Sequence, residues 1–128
     1  MKRETPRTIS TRTQRAILRD GTRPHQVRDA AFRKVILSIP KRSVATYGQV
    51  AAAAGYPAYH RAVARFLRTA PTLTLPWQRV IGAGGEIKLP HEAGAEQRMR
   101  LQMEGVSFRG RRVDLERHQH TFRTWELD

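Results

Sequence analysis

Between Phe32 and Leu67 the chain runs three times through a short apolar stretch followed by a hard stop, and few folds accept that punctuation. Phe32, Val35, Ile36 and Ile39 recur at helical spacing, and Pro40 cannot continue the helix they define. The ordered domain is expected from about Gln26. Lys41-Arg42-Ser43 turns the chain. Thr46 and Gln49 stand three apart, the spacing of a capping box, in which each side chain satisfies a free backbone N–H at the start of a helix. Val50-Ala51-Ala52-Ala53-Ala54 continues that second helix and Gly55 ends it. After Tyr56-Pro57 a third helix is predicted from about Ala58 to Arg68, with Ala62, Val63, Phe66 and Leu67 inward. Two short helices across a tight Gly-containing turn make a helix-turn-helix.

The rest of the chain completes a single domain. Pro71 and Pro76 bracket an extended loop. Val80-Ile81 and Glu86-Ile87 flank Gly82-Ala83-Gly84-Gly85, which predicts a small hairpin in the position of a wing. A last helix is expected from about Glu92 to Glu104, closed by Gly105. The fold class is therefore mainly α with a small β-hairpin wing, a winged helix-turn-helix over residues 26–106. Residues 107–128 carry Val113, Leu115, Phe122 and Trp125 among charges, and are expected to pack on the domain with little regular structure. Residues 1–25 form a basic arm rich in Thr, Arg, Ser and Pro. It reads equally as a disordered tail and as an arm that touches phosphate.

Charge points to the partner. The 128 residues carry a net charge of +13. No Asp or Glu occurs from Ala30 to Gly85, while Arg33, Lys34, Lys41, Arg42, Arg61, Arg65, Arg68 and Arg79 do. A merely soluble surface would mix its signs, so a polyanion is implied. Arg61, Arg65 and Arg68 fall at i, i+4 and i+7 and share one face of the third helix. No apolar run suits a secretory signal or a membrane span, so a soluble cytoplasmic protein is expected, nucleoid-associated when bound. The chain has no cysteine, which removes disulfides, thiolate metal sites and thiol nucleophiles together. His118 and His120 suit one strand face, but without a third ligand no metal is expected, and no cofactor either.

Tyr47-Gly48-Gln49-Val50-Ala51, Arg61-Ala62-Val63, Pro76-Trp77-Gln78-Arg79-Val80-Ile81 and Glu104-Gly105-Val106 occur in an order and register that resemble the DNA-binding domain of O6-alkylguanine DNA alkyltransferases. The alkyltransferases have Pro-Cys-His-Arg-Val at the third of these motifs. This chain is similar to the alkyltransferase-like subfamily, which has Trp in place of Cys. The resemblance implies a protein that binds the lesion and does not repair it, because neither Trp77 nor Gln78 supplies a nucleophile or a base. It implies a lesion pocket formed by Trp77, Tyr47, Val80 and Glu104, and Arg61 as the finger that fills the space of an extruded base. DNA contacts are implied for Thr46, Tyr47, Gln49, His60, Arg61, Ala62, Arg65, Arg68 and Arg79, through the minor groove. The implied partners are duplex DNA containing O6-alkylguanine and the damage-recognition proteins of nucleotide excision repair, with a monomer sufficient.

Several positions depart from the pattern. Ala64 replaces a customary glycine, Gln78 replaces histidine, and Arg68-Thr69-Ala70-Pro71 offers no hinge asparagine in a loop one residue short. The preferred alkyl size stays open. Val113-Asp114-Leu115 and Trp125 resemble the subfamily's C-terminal loop more loosely. A winged-helix regulator or architectural protein with no lesion preference is the rival reading, and an enzyme with residual transferase activity is a second.

Overall fold

The computed structural model describes residues 24–69 and 74–123. Most of the basic arm, Pro71 and Trp125 lie outside the described residues.

Helix α1 (Pro24–Leu37) starts on a proline, whose missing N–H costs nothing in a first turn. It buries Phe32, Val35 and Ile36. It ends at Leu37, short of Pro40. The proline ring disfavours helical geometry in the residue before it, and the chain tightens into i→i+3 bonds from Ser38 and Ile39 to the carbonyls of Val35 and Ile36. Strand β1 (Ala45–Thr46) leads into α2 (Tyr47–Ala53). The capping box forms: Gln49 N donates to Thr46 Oγ1 and Thr46 N donates to Gln49 Oε1, both at 3.0 Å. Gly55 ends the helix at φ 95°. Ala58 also takes a left-handed conformation, φ 76°, which delays α3 (His60–Thr69) by two residues from the expected start.

Helices α2 and α3 pack together as the helix-turn-helix. Val63 and Phe66 of α3 join Phe32, Ile36 and Val50 in the main core. The rings of Phe32 and Tyr56 meet edge to face at 6.0 Å.

The expected hairpin at residues 80–87 does not form. After a tight 3-10 turn at Trp77–Arg79, strand β2 (Val80–Ile81) pairs in parallel with β1, Ala45 opposite Val80 and Thr46 opposite Ile81. Val80 and Ile81 are both buried, at 1% and 0% exposure, so this strand is enclosed and not one edge of an open wing. A second 3-10 turn (Ala83–Gly85) follows, and Glu86 bridges to Arg112 instead. The small antiparallel hairpin lies later, β3 (Phe108–Arg109) against β4 (Arg112–Val113), turning through Gly110 at φ 63°.

Residues beyond 106 are thus more regular than expected. Helix α4 (His91–Met103) closes at Gly105, φ 94°. After the hairpin comes α5 (Leu115–His118). The backbone then pairs with Val44: Val44 N donates to His118 O at 2.8 Å and His120 N to Val44 O at 2.7 Å. Val44, Ile81, Leu101, Val106 and Val113 make a second buried cluster. His118 and His120 share no ligand face. His118 sits between Ser107 and the Arg42 carbonyl, and His120 packs edge-on against Phe122. Among the described residues no helix is long and apolar enough to cross a membrane.

One ion pair ties these parts together. Arg79 Nε and Nη2 donate to the Glu104 carboxylate at 3.0 Å, Arg79 Nη1 donates to Ile39 O at 2.7 Å, and Gln78 Nε2 donates to Glu104 Oε2 at 2.7 Å. Both charged side chains are 13% exposed. Burial alone would raise the Glu104 carboxyl. The hydrogen bonds from Arg79 and Gln78, the Arg79 charge and a backbone N–H from Arg42 outweigh it and hold it below the ordinary carboxylate value. A depressed pKa contributes stability above the unfolded value, lost as pH falls through the folded one. Glu104→Gln should therefore cost about 3 kcal/mol of unfolding free energy at neutral pH. The gap from wild type should shrink once pH drops below about 4.3, the ordinary glutamate value. Urea titrations across that range check this, and a gap independent of pH would contradict it.

Candidate nucleic-acid interface

The N-terminus of α2, the inner edge of α3 and the Trp77–Arg79 turn converge because β1 and β2 pair side by side. Tyr47 is the residue after β1, and Trp77 stands three residues before β2. Between them lies a cavity of about 490 Å³. That volume lies within the range that holds a small organic group.

Six residues singled out in the sequence line this cavity: Tyr47, His60, Arg61, Arg68, Trp77 and Val80. Ala64 and Leu67 add to the α3 lining, and Lys88, Leu89 and Pro90 come from the connection before α4. No Asp or Glu is among the described lining residues. Trp77 is half-buried, and the Arg100 guanidinium lies 5.5 Å from its ring. Arg100 is itself held by Glu96 at 2.9 Å. The indole thus has a cationic neighbour while it borders the cavity.

Burial raises the Tyr47 phenol above its usual value, only partly offset by the Arg68 charge. The hydroxyl is accordingly neutral at pH 7, a hydrogen-bonding group and not a nucleophile.

Other expected site residues lie elsewhere. Glu104 does not line the cavity: it is spent on Arg79 and Gln78. Arg79, expected to meet DNA, points inward for the same reason and also holds the Ile39 carbonyl. Thr46 caps α2. Gln49 completes the capping box and donates to His120 O at 2.9 Å. Ala62 packs against the main core. Arg65 is exposed, on α3 beside the cavity-lining arginines.

Gln97 was not anticipated. It is 1% exposed and lines the cavity floor. Its Nε2 donates to Gln78 O at 3.1 Å and Val80 O at 2.8 Å, which fastens the middle of the Trp77 turn and the start of β2 to α4. A signal existed: Gly94, Gln97 and Leu101 occupy the buried stripe of α4, and a glutamine there needs polar partners. Gly94 serves the same region, because a Cβ there would collide with the Leu89 carbonyl. Lys88, Leu89 and Pro90 gave no signal, since they lie in a connection with no periodicity.

A helix-turn-helix with its second helix bordering an apolar, cation-rimmed cavity is the architecture of a DNA-binding domain of the alkyltransferase type. The model of the 6-O-methylguanine DNA methyltransferase DNA-binding domain matches residues 28–106, and the chain belongs to that family. It is 44% identical over 73 residues to the DNA base-flipping protein of Vibrio parahaemolyticus, covering 56% of this chain and 73% of that one. It is 37% identical over 91 residues to the DNA base-flipping protein of Escherichia coli, covering 70% of each. Among solved structures, Atl1 of Schizosaccharomyces pombe, in complex with damaged DNA containing O6-carboxymethylguanine, superposes with a TM-score of 0.64 at 27% identity. That match covers 79% of this chain and all of the other.

Gln97→Leu removes the donor from two buried carbonyls, and each unsatisfied group costs about 1–3 kcal/mol. The variant should unfold at lower urea and broaden the Trp77 environment in fluorescence. Unchanged stability would show that the turn does not depend on α4.

Proposed function

We propose that this chain is a non-enzymatic sensor of O6-alkylguanine in duplex DNA. The observation that carries the reading is an apolar cavity beside α3 with an indole at Trp77 and no thiol. An alkyl group on a guanine inside the stack is reached by extruding the nucleotide, and pocket contacts offset the cost of unstacking. Trp77 and Val80 offer apolar surface to such a group, and Tyr47 offers a neutral hydroxyl at the entrance. Arg61, exposed on the first turn of α3, takes the vacated space in the stack. Arg65 and Arg68 meet phosphates, and insertion from the minor groove bends the duplex.

Trp77 stands, in this reading, where an alkyltransferase has its acceptor cysteine. The chain has no cysteine to substitute for it. The names of the base-flipping relatives and the damaged-DNA complex of Atl1 support the reading. The bound complex is taken to be monomeric and to be passed to nucleotide excision repair, on the strength of the family resemblance.

The test compares matched duplexes with and without one O6-methylguanine at fixed salt, followed by protein mass. The lesion duplex should bind at least about tenfold tighter, equivalent to about 1.4 kcal/mol, with protein mass unchanged. Equal affinities would favour an ordinary helix-turn-helix regulator and sink the sensor. A mass gain of one methyl group would make the chain an enzyme.

Trp77→Cys alone should transfer methyl groups barely, if at all, because Gln78 is no base and its amide is committed to Glu104. Efficient transfer by that variant, read by mass, would contradict this account of the pocket.

A further inference from the structure

The cations of the cavity come from two parts of the chain. Arg61 and Arg68 stand on α3, the helix assigned to DNA. Lys88 comes from the connection before α4, next to Leu89 and Pro90. Its stem lies across Gly82: a Cβ at that glycine would come within 2.8 Å of Lys88 Cγ and 3.1 Å of Cδ. The bare backbone at Gly82 thus leaves room for the lysine stem in this position. The only ion pair described for Lys88 is with Glu86 Oε1 at 3.4 Å, between side chains 57% and 49% exposed. A pair that exposed is worth little and releases its lysine readily.

The lining therefore combines apolar surface from Trp77 and Val80 with a cation that has a weak partner and no carboxylate among the described lining residues to oppose it. A hydrocarbon adduct uses only the apolar surface. An adduct with a short apolar link and a terminal carboxylate uses both, and gains a charge-assisted hydrogen bond. We propose that Lys88 makes this cavity selective for O6 adducts ending in a carboxylate over neutral adducts of the same size. The inference rests on the reading of the cavity as a lesion pocket. A carboxylate within a duplex is repelled by the flanking phosphates, so a pocket without such a cation would disfavour the charged adduct.

The test uses three duplexes of one sequence at fixed salt, carrying guanine, O6-carboxymethylguanine or its neutral carboxamide counterpart. Wild type should bind the carboxylate about fivefold tighter than the carboxamide, the ratio that ~1 kcal/mol from an exposed cation gives. Lys88→Met should bring that ratio to one, with any lost phosphate attraction shared equally by the guanine and carboxamide duplexes, and Lys88→Arg should keep it. Thermal unfolding confirms that each variant is folded. If both adducts outbind guanine but equally, or if the preference survives in Lys88→Met, the inference is overturned and the sensor reading stands. If neither adduct outbinds guanine, the sensor reading fails and the inference with it.

Discussion

The Arg79–Glu104 clamp is the constraint on which the other parts of this structure depend. It gathers the end of α1 through the Ile39 carbonyl, the Trp77 turn through Gln78 and Arg79, and the end of α4 through Glu104. Each of these ends would otherwise need water or another partner for its polar groups. A buried ion pair is weak evidence for stability, because desolvation cancels much of the attraction. Here the carboxylate has further donors, the Gln78 amide and the Arg42 backbone, so its charge is spread over several hydrogen bonds. The clamp thereby fixes where the Trp77 turn can sit relative to α4.

A second restraint acts from the other side of that turn. The β1–β2 pairing is two residues long, yet it sets the separation of Tyr47 from Trp77, because the two side chains leave neighbouring strands within a few residues. Gln97 then closes the remaining freedom by bonding carbonyls on both sides of Arg79. A pocket wall held by three independent anchors is rigid. Rigid walls suit recognition, since little ordering entropy is lost when a group docks.

Local signals in the sequence survived into the structure, and pairing signals did not. The Thr46–Gln49 capping box, Gly55 and Gly105 act within a few residues of themselves, so spacing alone revealed them. Val80-Ile81 and Glu86-Ile87 resembled a hairpin because the glycines between them suit a turn. Which strand pairs with which is settled by distant residues, here Ala45 and Arg112. The same limit misplaced two charges. Arg79 stood in a basic stretch and Glu104 beside a helix end, and nothing in their spacing of 25 positions marked them as mutual partners. Tyr47, Arg61, Trp77 and Val80 reached one cavity as the motif order implied, but Gln97 and Lys88 became visible only once α4 and its preceding loop were packed.

The absence of carboxylates along the cavity has a consequence for what the site can discriminate. In the proposed reading, positive charge on α3 serves phosphate, which every duplex has, and so raises affinity without selectivity. On that reading, selectivity comes from the other lining groups: the indole, Val80 and Lys88. The Arg100 guanidinium beside Trp77 adds positive potential there too, and its Glu96 partner is on the helix surface, 47% exposed. A family member with a reactive thiol can select at the chemical step, because a poorly fitting group is simply not transferred. A chain without one cannot select by thiol transfer, and a sensor as proposed here has binding with which to choose. In that reading the burden of specificity falls on the geometry of the Trp77 turn, which the buried Gln97 holds, and on the other lining side chains, Lys88 among them.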